Sequence, residues 1–179
     1  MKPSADKWSS CSSPSAHVSR MRARFSRTRT SMSVLNEFCA DFGVAAPEPI
    51  TRLGKRCFLT RDEDAAFIAA QKTRLVAAGL YLGEEQKRMR PSPALVAYIA
   101  AQTDRHKVVV DEKAEWLFLC GRDVFAKAII SQAKPTKNGL VLVNNHRGEN
   151  LGYGKAMRKG QVVVKNLLDR GEYLRRERG

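Results

Sequence analysis

The sequence lacks the residue patterns on which most catalytic and metal sites depend. Its three histidines, His17, His106 and His146, stand far apart, and none lies beside a Ser or Cys in a nucleophile motif. There is no P-loop glycine pattern, and residues 152–154 (Gly-Tyr-Gly) are too short for a dinucleotide fingerprint. The acidic residues 62–64 point in different directions and are better explained as the start of a helix. We therefore predict a binding protein with no catalytic residues, no metal and no cofactor.

Closely spaced cysteines and long apolar runs are also missing. Cys11, Cys39, Cys57 and Cys120 form no CxxC pair, so neither a zinc site nor a disulfide is expected. Because three of them lie in apolar segments, we predict buried, reduced thiols and a reducing compartment, the cytoplasm. No apolar run approaches the roughly 18–20 residues needed to cross a bilayer, so no membrane association is expected.

Negative charge is scarce, and the formal net charge of +14 is unevenly spread. Residues 1–31 carry seven Lys/Arg and one Asp (+6), residues 32–104 carry nine basic and nine acidic groups (0), and residues 105–179 carry sixteen and eight (+8). A basic C-terminal part beside a neutral middle part indicates a polyanion partner, most often nucleic acid. The alternative is a solvated basic face that serves solubility.

Residues 1–31 have little apolar content and no helical or strand period, so we expect a disordered basic leader. Its Ser- and Arg-rich, acid-poor composition is also typical of an organelle transit peptide. A third interpretation is that translation begins at Met32 and that the leader is not native. We favour this last interpretation, because the first segment with core-forming residues starts at Met32.

The middle of the chain, residues 32–104, mixes helix and strand signals. Ser33 is a plausible N-cap for a helix ending near Phe42, and Ser92 for a helix over residues 94–100. A strand is expected at 56–60 and a helix from Asp62, which by periodicity alone could reach residue 78. Residues 103–106 mark a seam between two domains.

Residues 105–179 contain several β-branched runs separated by Gly and Asn turns, which predicts a small, mostly antiparallel β-barrel or sandwich. Asp111 is expected to cap a short helix. Trp116 and Phe118 are expected to fill the core, because an indole in an apolar run is more often a buried residue than a platform for base stacking.

Three segments of this part resemble a known family. They are residues 114–125, with the pattern Phe-Leu-x-Gly-x-Asp-Val, residues 151–155, and residues 164–176, with the ending Gly-Glu-Tyr-Leu-Arg-Arg. They resemble the C-terminal domain of the nuclear-import-seven (Nip-seven) family of ribosome biogenesis factors. Residues 56–68, 75–83 and 93–99 resemble that family's N-terminal domain, so the resemblance covers about residues 34–178. The compact N-terminal region is similar to archaeal members.

The resemblance implies an α+β protein, with an N-terminal antiparallel-sheet α/β domain (32–104) followed by a C-terminal PUA β-barrel (105–179). The PUA class is named for pseudouridine synthases and archaeosine transglycosylases. The resemblance also implies that residues 75–83 form a strand after a short helix. The implied activity is binding of single-stranded, U-rich pre-ribosomal RNA during ribosomal subunit maturation, without an enzymatic step. We expect a monomer in the cytoplasm, or in the nucleolus and nucleus if the source is eukaryotic.

The predicted RNA contacts lie on the basic edge of the PUA domain. Arg158 and Lys159 occupy a turn, Lys155 precedes it, and Lys165 follows on the next strand, where alternation places it with Val163. Arg175 and Arg176 could extend the patch. Weaker choices are Arg122, Lys127, Lys134 and Lys137. Tyr153 is a candidate for base stacking but is more simply explained as a packed core residue.

Two other classes of function remain open at this point. The chain could be a subunit of an RNA-modifying enzyme with an appended PUA domain. It could also be an adaptor whose N-terminal domain docks a pre-ribosomal protein partner. Exposed aromatic residues there, such as Phe42 or Tyr81, would favour the adaptor.

Overall fold

The structure is a computed structural model that describes residues 33–71, 74–157, 160–172 and 175. Residues Ser31–Gly179 form one compact unit. In the described part the helices are α1 (Val34–Asp41), α2 (Ala65–Gln71), α3 (Pro93–Gln102) and α4 (Glu112–Leu119). The strands are β1 (Ile50–Leu53), β2 (Arg56–Leu59), β3 (Leu80–Glu85), β4 (Met89–Pro91), β5 (Lys107–Val110), β6 (Val124–Phe125), β7 (Ile129–Gln132), β8 (Leu140–Asn144), β9 (Asn150–Ala156) and β10 (Val162–Asp169).

The strands form two sheets, and the α+β class is confirmed. The first sheet has the order β1-β2-β3-β4, and its neighbours are antiparallel. The second has the order β6-β10-β9-β8-β5-β7 and is antiparallel except where β5 pairs with β8. This nearly closed, barrel-like sheet contains the strands of residues 107–169. We call residues 34–104 the N-terminal module and residues 106–172 the C-terminal module; the predicted domain boundary itself stays a prediction.

Helix starts follow the local capping signals. The side chain of Ser33 accepts a hydrogen bond from the backbone N–H of Asn36 (3.3 Å), which caps α1. Ser92 caps α3 in the same way through Leu95 (3.2 Å). An N-cap oxygen satisfies a backbone donor that has no partner within the helix, which is why these sites are recognisable in the sequence.

Two element boundaries differ from the expectations. The helix expected from Asp62 begins as a single 3-10 turn, Asp62–Asp64, and continues as α2 only to Gln71. The strand expected over residues 75–83 starts at Leu80. The short helix implied by the resemblance is therefore confirmed.

The prediction that Trp116 fills the core was wrong, whereas that for Phe118 is confirmed. The capping residue is Asp111, as expected, but α4 runs on to Leu119. Two residues apart on a helix differ by about 200° around its axis. The side of α4 that carries Ala114 and Phe118 is buried, so Trp116 points outward and is 69% exposed.

The first core cluster joins the two modules. It contains Phe38 and Phe42 from α1 and the loop after it, residues from α3, and Leu142 and Tyr153 from the second sheet. Phe42 is fully buried, so the idea that it is an exposed docking residue was wrong. The second cluster lies within the C-terminal module and includes Phe118.

The described cysteines are free, and two of the three are buried. Burial raises the pKa of both the Cys39 and the Cys57 thiol to about 11. The prediction of buried, reduced thiols is confirmed for these two. Cys120 is also free, but the prediction that it is buried was wrong, because it is exposed just after α4. Cys11 lies outside the described residues.

Candidate nucleic-acid interface

Two of the predicted RNA contacts, Lys155 and Lys165, are brought together by the second sheet. Strand β9 pairs with β10 in antiparallel register, and Lys165 is the direct partner of Lys155. Directly opposed residues project on the same face of a sheet. Both side chains are exposed. We call Lys155 and Lys165 the ladder pair.

Glycine allows β9 and β10 to lie this close. A Cβ atom at Gly154 would stand 2.5 Å from the carbonyl oxygen of Lys165 and 2.5 Å from Cγ1 of Val164. At Gly152 a Cβ would overlap the carbonyl oxygen of Leu168. The two glycines therefore serve close strand approach.

The ladder pair places two positive charges opposite each other without compensation. Among the described residues, no ion pair involves Lys155 or Lys165. Like charges directly opposite in a sheet are destabilising, in contrast to the roughly 0.2–1 kcal/mol gained from favourable cross-strand pairs. The arrangement therefore does not help the fold, and it suits an anionic ligand.

The ladder pair lies on one side of a groove of about 1150 Å³. The other sides are formed by α1, the turn between β3 and β4, and the segment from Lys134 to Asn138. Six cationic side chains are found among the described residues that line the groove: Lys87, Arg88, Lys134, Lys137, Lys155 and Lys165. Only two carboxylates, Glu37 and Asp41, are found among its described lining residues, so the formal charge of this lining is +4 with His106 neutral.

Two hydrogen bonds hold the wall that contains Lys134 and Lys137. Nδ2 of Asn138 donates to Oδ2 of Asp41 at the end of α1 (2.5 Å). Nδ1 of His106 lies 2.6 Å from the carbonyl oxygen of Lys134. These contacts fasten the segment before β8 to both modules.

Tyr153 belongs to the floor of the groove and is only 8% exposed. Its ring packs edge-on against Phe38, with 5.7 Å between the ring centroids. Burial raises the pKa of the phenol to about 12. Tyr153 is thus a core residue, as the simpler explanation had it. Leu167, on β10 two residues after Lys165, is the more exposed apolar side chain of the lining.

Arg175, another predicted contact, lies elsewhere and is engaged within the protein. Its guanidinium makes two hydrogen bonds to the buried carboxylate of Asp169 (2.8 and 2.9 Å) and donates to the carbonyl oxygen of Leu119. The contact with Asp169 raises the pKa of Arg175. Arg158, Lys159 and Arg176 lie outside the described residues.

Lys87 and Arg88, which line the groove from the N-terminal module, were not predicted from the sequence. The available signal was a Lys-Arg pair in a three-residue connection between two strands, where side chains project outward. Lys134 and Lys137, weaker choices before, also line the groove, whereas Arg122 and Lys127 do not.

Other kinds of site find little support in the described residues. No group of three or more His, Cys, Asp or Glu side chains in residues 33–71, 74–157, 160–172 and 175 could hold a metal ion. Over the same residues, no helix has the length and apolar content to span a membrane.

Comparison with known proteins identifies the C-terminal fold. Residues 106–178 match the family model of the UPF0113 PUA domain. The chain is 34% identical over 110 residues to a UPF0113 protein of Archaeoglobus fulgidus, an alignment that covers 56% of this chain and 63% of that protein. It is 36% identical over 104 residues to a UPF0113 protein of Aeropyrum pernix, covering 56% and 58%. The alignments thus span less than two thirds of these relatives.

Solved structures were found as well. A conserved PUA domain protein from Thermoplasma acidophilum aligns at 25% identity with a TM-score of 0.43, over 54% of this chain and 69% of that one. A hypothetical protein from Pyrococcus horikoshii aligns at 24% identity with a TM-score of 0.41, over 51% and 64%. The family match and the second sheet together give a C-terminal PUA fold, as predicted. The relatives are archaeal, in agreement with the predicted archaeal type.

Proposed function

We propose that the chain is an RNA-binding protein that holds single-stranded RNA on the basic edge of its PUA domain. The observation that carries this proposal is the uncompensated ladder pair, two lysines opposite each other on exposed strand positions. Ammonium groups so placed neutralise phosphates and release the counterions of the RNA. The predicted turn residues Arg158 and Lys159 continue the same edge in sequence, between β9 and β10.

The finer proposal is a role in ribosome biogenesis, with U-rich single-stranded pre-ribosomal RNA as the ligand and no catalytic step. It rests on the resemblance of the motifs around Gly121 and Gly171 to the Nip-seven family. Single-stranded RNA is the substrate class that proteins read by base contacts, because its bases are unstacked. We further propose that the protein acts as a monomer in the cytoplasm.

A second candidate function is protein docking by the N-terminal module. Phe67, Val76 and Leu80 are large apolar side chains of this module that are more than half exposed. Such residues are typical of contact surfaces when they lie together. This function is compatible with RNA binding, since it would use a different part of the molecule from the ladder pair.

The test is a salt titration of binding to labelled single-stranded oligouridylate, comparing native protein with a Lys155→Ala/Lys165→Ala variant. Each phosphate neutralised on a single strand contributes about 0.7 to the slope of log K against log salt. Loss of two contacts should lower the slope by about 1.4. If the two proteins bind equally at about 1 M salt, the variant should bind about 25-fold more weakly than the native protein at about 0.1 M salt.

The matched control is Arg61→Ala/Arg74→Ala, which removes the same charge from exposed positions that do not line the groove. It should keep the native slope. An Arg158→Ala/Lys159→Ala variant tests the predicted turn separately. Equal slopes for the ladder variant and the control would refute the proposed edge. Absence of binding by the native protein at low salt would refute RNA binding altogether.

A further inference from the structure

The groove has a second cationic wall that faces the ladder pair from the N-terminal module. We infer that Lys87 and Arg88, in the turn between β3 and β4, contact phosphates of the same RNA strand, so that the strand lies in the groove between the two modules. This inference rests on the proposed function and extends it to residues outside the PUA domain. We call Lys87 and Arg88 the turn pair.

The charges of the turn pair are left uncompensated by their nearest acidic neighbours in sequence. Glu85 accepts hydrogen bonds from Arg52 Nε (3.0 Å) and from the backbone N–H of Leu35 (3.1 Å). Burial by itself would raise the pKa of Glu85, but the contacts with Arg52 and the backbone N–H of Leu35 outweigh it, so the pKa lies below its ordinary value. Glu84 pairs with Arg56 (3.6 Å).

The consequence is that both carboxylates before the turn are already satisfied. No ion pair among the described residues involves Lys87 or Arg88, and both side chains are exposed. The turn pair thus resembles the ladder pair: both are exposed cations without an ion-pair partner among the described residues, and both are available to an external anion.

The spacing between the two walls is fixed by the core. Met89, directly after the turn pair, and Tyr153, two residues before Lys155, both line the groove and both belong to the first core cluster. The hydrogen bond between Asn138 and Asp41 adds a second link across the modules. A ligand in the groove therefore meets both walls without any rearrangement of the modules.

The size and chemistry of the groove suit a nucleotide strand better than a small molecule. Its volume of about 1150 Å³ exceeds the roughly 300–1,000 Å³ of typical small-molecule pockets. Cations from both modules line the groove, and Leu167, 44% exposed, adds an apolar side chain to the lining. This combination of a positive channel and apolar contacts for bases is characteristic of single-strand binding.

The test uses the full chain and oligouridylate of about 4–16 nucleotides, the range of sites in single-strand-binding folds. A Lys87→Ala/Arg88→Ala variant should lower the salt slope by about 1.4, with about 25-fold weaker binding at 0.1 M salt. Combined with Lys155→Ala/Lys165→Ala, the loss of slope should reach about 2.8 if one strand touches both walls. The Arg61→Ala/Arg74→Ala control should behave like the native protein.

A second readout is independent of affinity. RNA containing thiouridine is crosslinked to the native protein by light, and the crosslinked peptides are identified by mass spectrometry. Crosslinks are expected in the β3–β4 turn as well as on β9 or β10.

The outcomes separate the inference from the proposed function. Native binding with an unchanged slope in the turn variant, or crosslinks confined to the C-terminal module, would overturn the inference and leave the PUA-edge proposal intact. No binding by the native protein would remove both. The Tm of the turn variant is measured as well. A Tm equal to that of the native protein shows that a loss of binding does not come from a loss of fold.

Discussion

Replacement of Arg175 by alanine is expected to weaken the fold rather than the binding of RNA. Arg175 was predicted to contact RNA, yet its guanidinium is held by the carboxylate of Asp169, which is only 3% exposed. That carboxylate otherwise receives one side-chain hydrogen bond among the described residues, from Nδ2 of Asn166 (3.2 Å). The substitution therefore leaves a buried negative charge with too few donors.

The size of the effect follows from the exposure of the two partners. Breaking a fully buried ion pair costs about 3–5 kcal/mol, because one charge remains buried without its partner. The side chain of Arg175 is 41% exposed, so water can replace part of the lost interaction. We expect a loss of about 2 kcal/mol in the free energy of unfolding. For a chain of this size that lowers Tm by about 4–8 °C.

Two measurements on the same variants decide the role of Arg175. Urea and thermal unfolding give the stability, and the oligouridylate salt titration gives the number of phosphate contacts. Arg175→Lys keeps the charge but loses the two-point contact, so its stability should be intermediate. If Arg175→Ala is as stable as the native protein while its salt slope falls by about 0.7, Arg175 is an RNA contact and the structural argument fails.

Two further predictions concern the core. Gly154→Ala should lower the free energy of unfolding by about 1–3 kcal/mol, because the new methyl group meets the carbonyl oxygen of Lys165 at 2.5 Å. An unchanged midpoint of urea unfolding would contradict the close strand approach. Burial raises the pKa of the Cys39 thiol from 9.0 to about 11 in the folded protein. The thiol of the unfolded chain therefore loses its proton at lower pH, and the free energy of unfolding should fall as the pH rises from about 9 to 11. Cys39 contributes at most about 2.7 kcal/mol to this loss of stability. In urea titrations at several pH values, Cys39→Ala should lose less stability over this range than the native protein. An identical pH dependence of the two proteins would contradict the prediction.

Features with a local cause were predictable from the sequence. The N-caps Ser33, Ser92 and Asp111 each bond to a backbone N–H three residues later, so a short window contains the whole signal. The ladder pair was predicted as two separate basic residues. Their direct opposition depends on the register of β9 against β10, including an irregularity between Asn166 and Leu168, which no local pattern reveals.

Features that depend on packing between distant segments were missed. Trp116 and Phe42 are both large aromatic residues, and composition alone could not tell which would be exposed. Phe42 is buried because Phe38, a turn earlier on α1, and residues of the second sheet close over it. The groove was missed for the same reason, since Lys87 and Lys165 are brought to it only by the joining of the two modules.

The sharing of one core between the modules has a consequence for the order of events during synthesis. Leu142 and Tyr153 complete a cluster whose other buried members lie between Leu35 and Ala100. At about 5–20 residues per second, the roughly 50 residues from position 104 to Tyr153 take about 2.5–10 s to follow. During that interval the apolar face of the nascent N-terminal module has no cover from its own chain. The finished groove, with both of its walls, therefore forms only late in synthesis, when β9 and β10 have both been added.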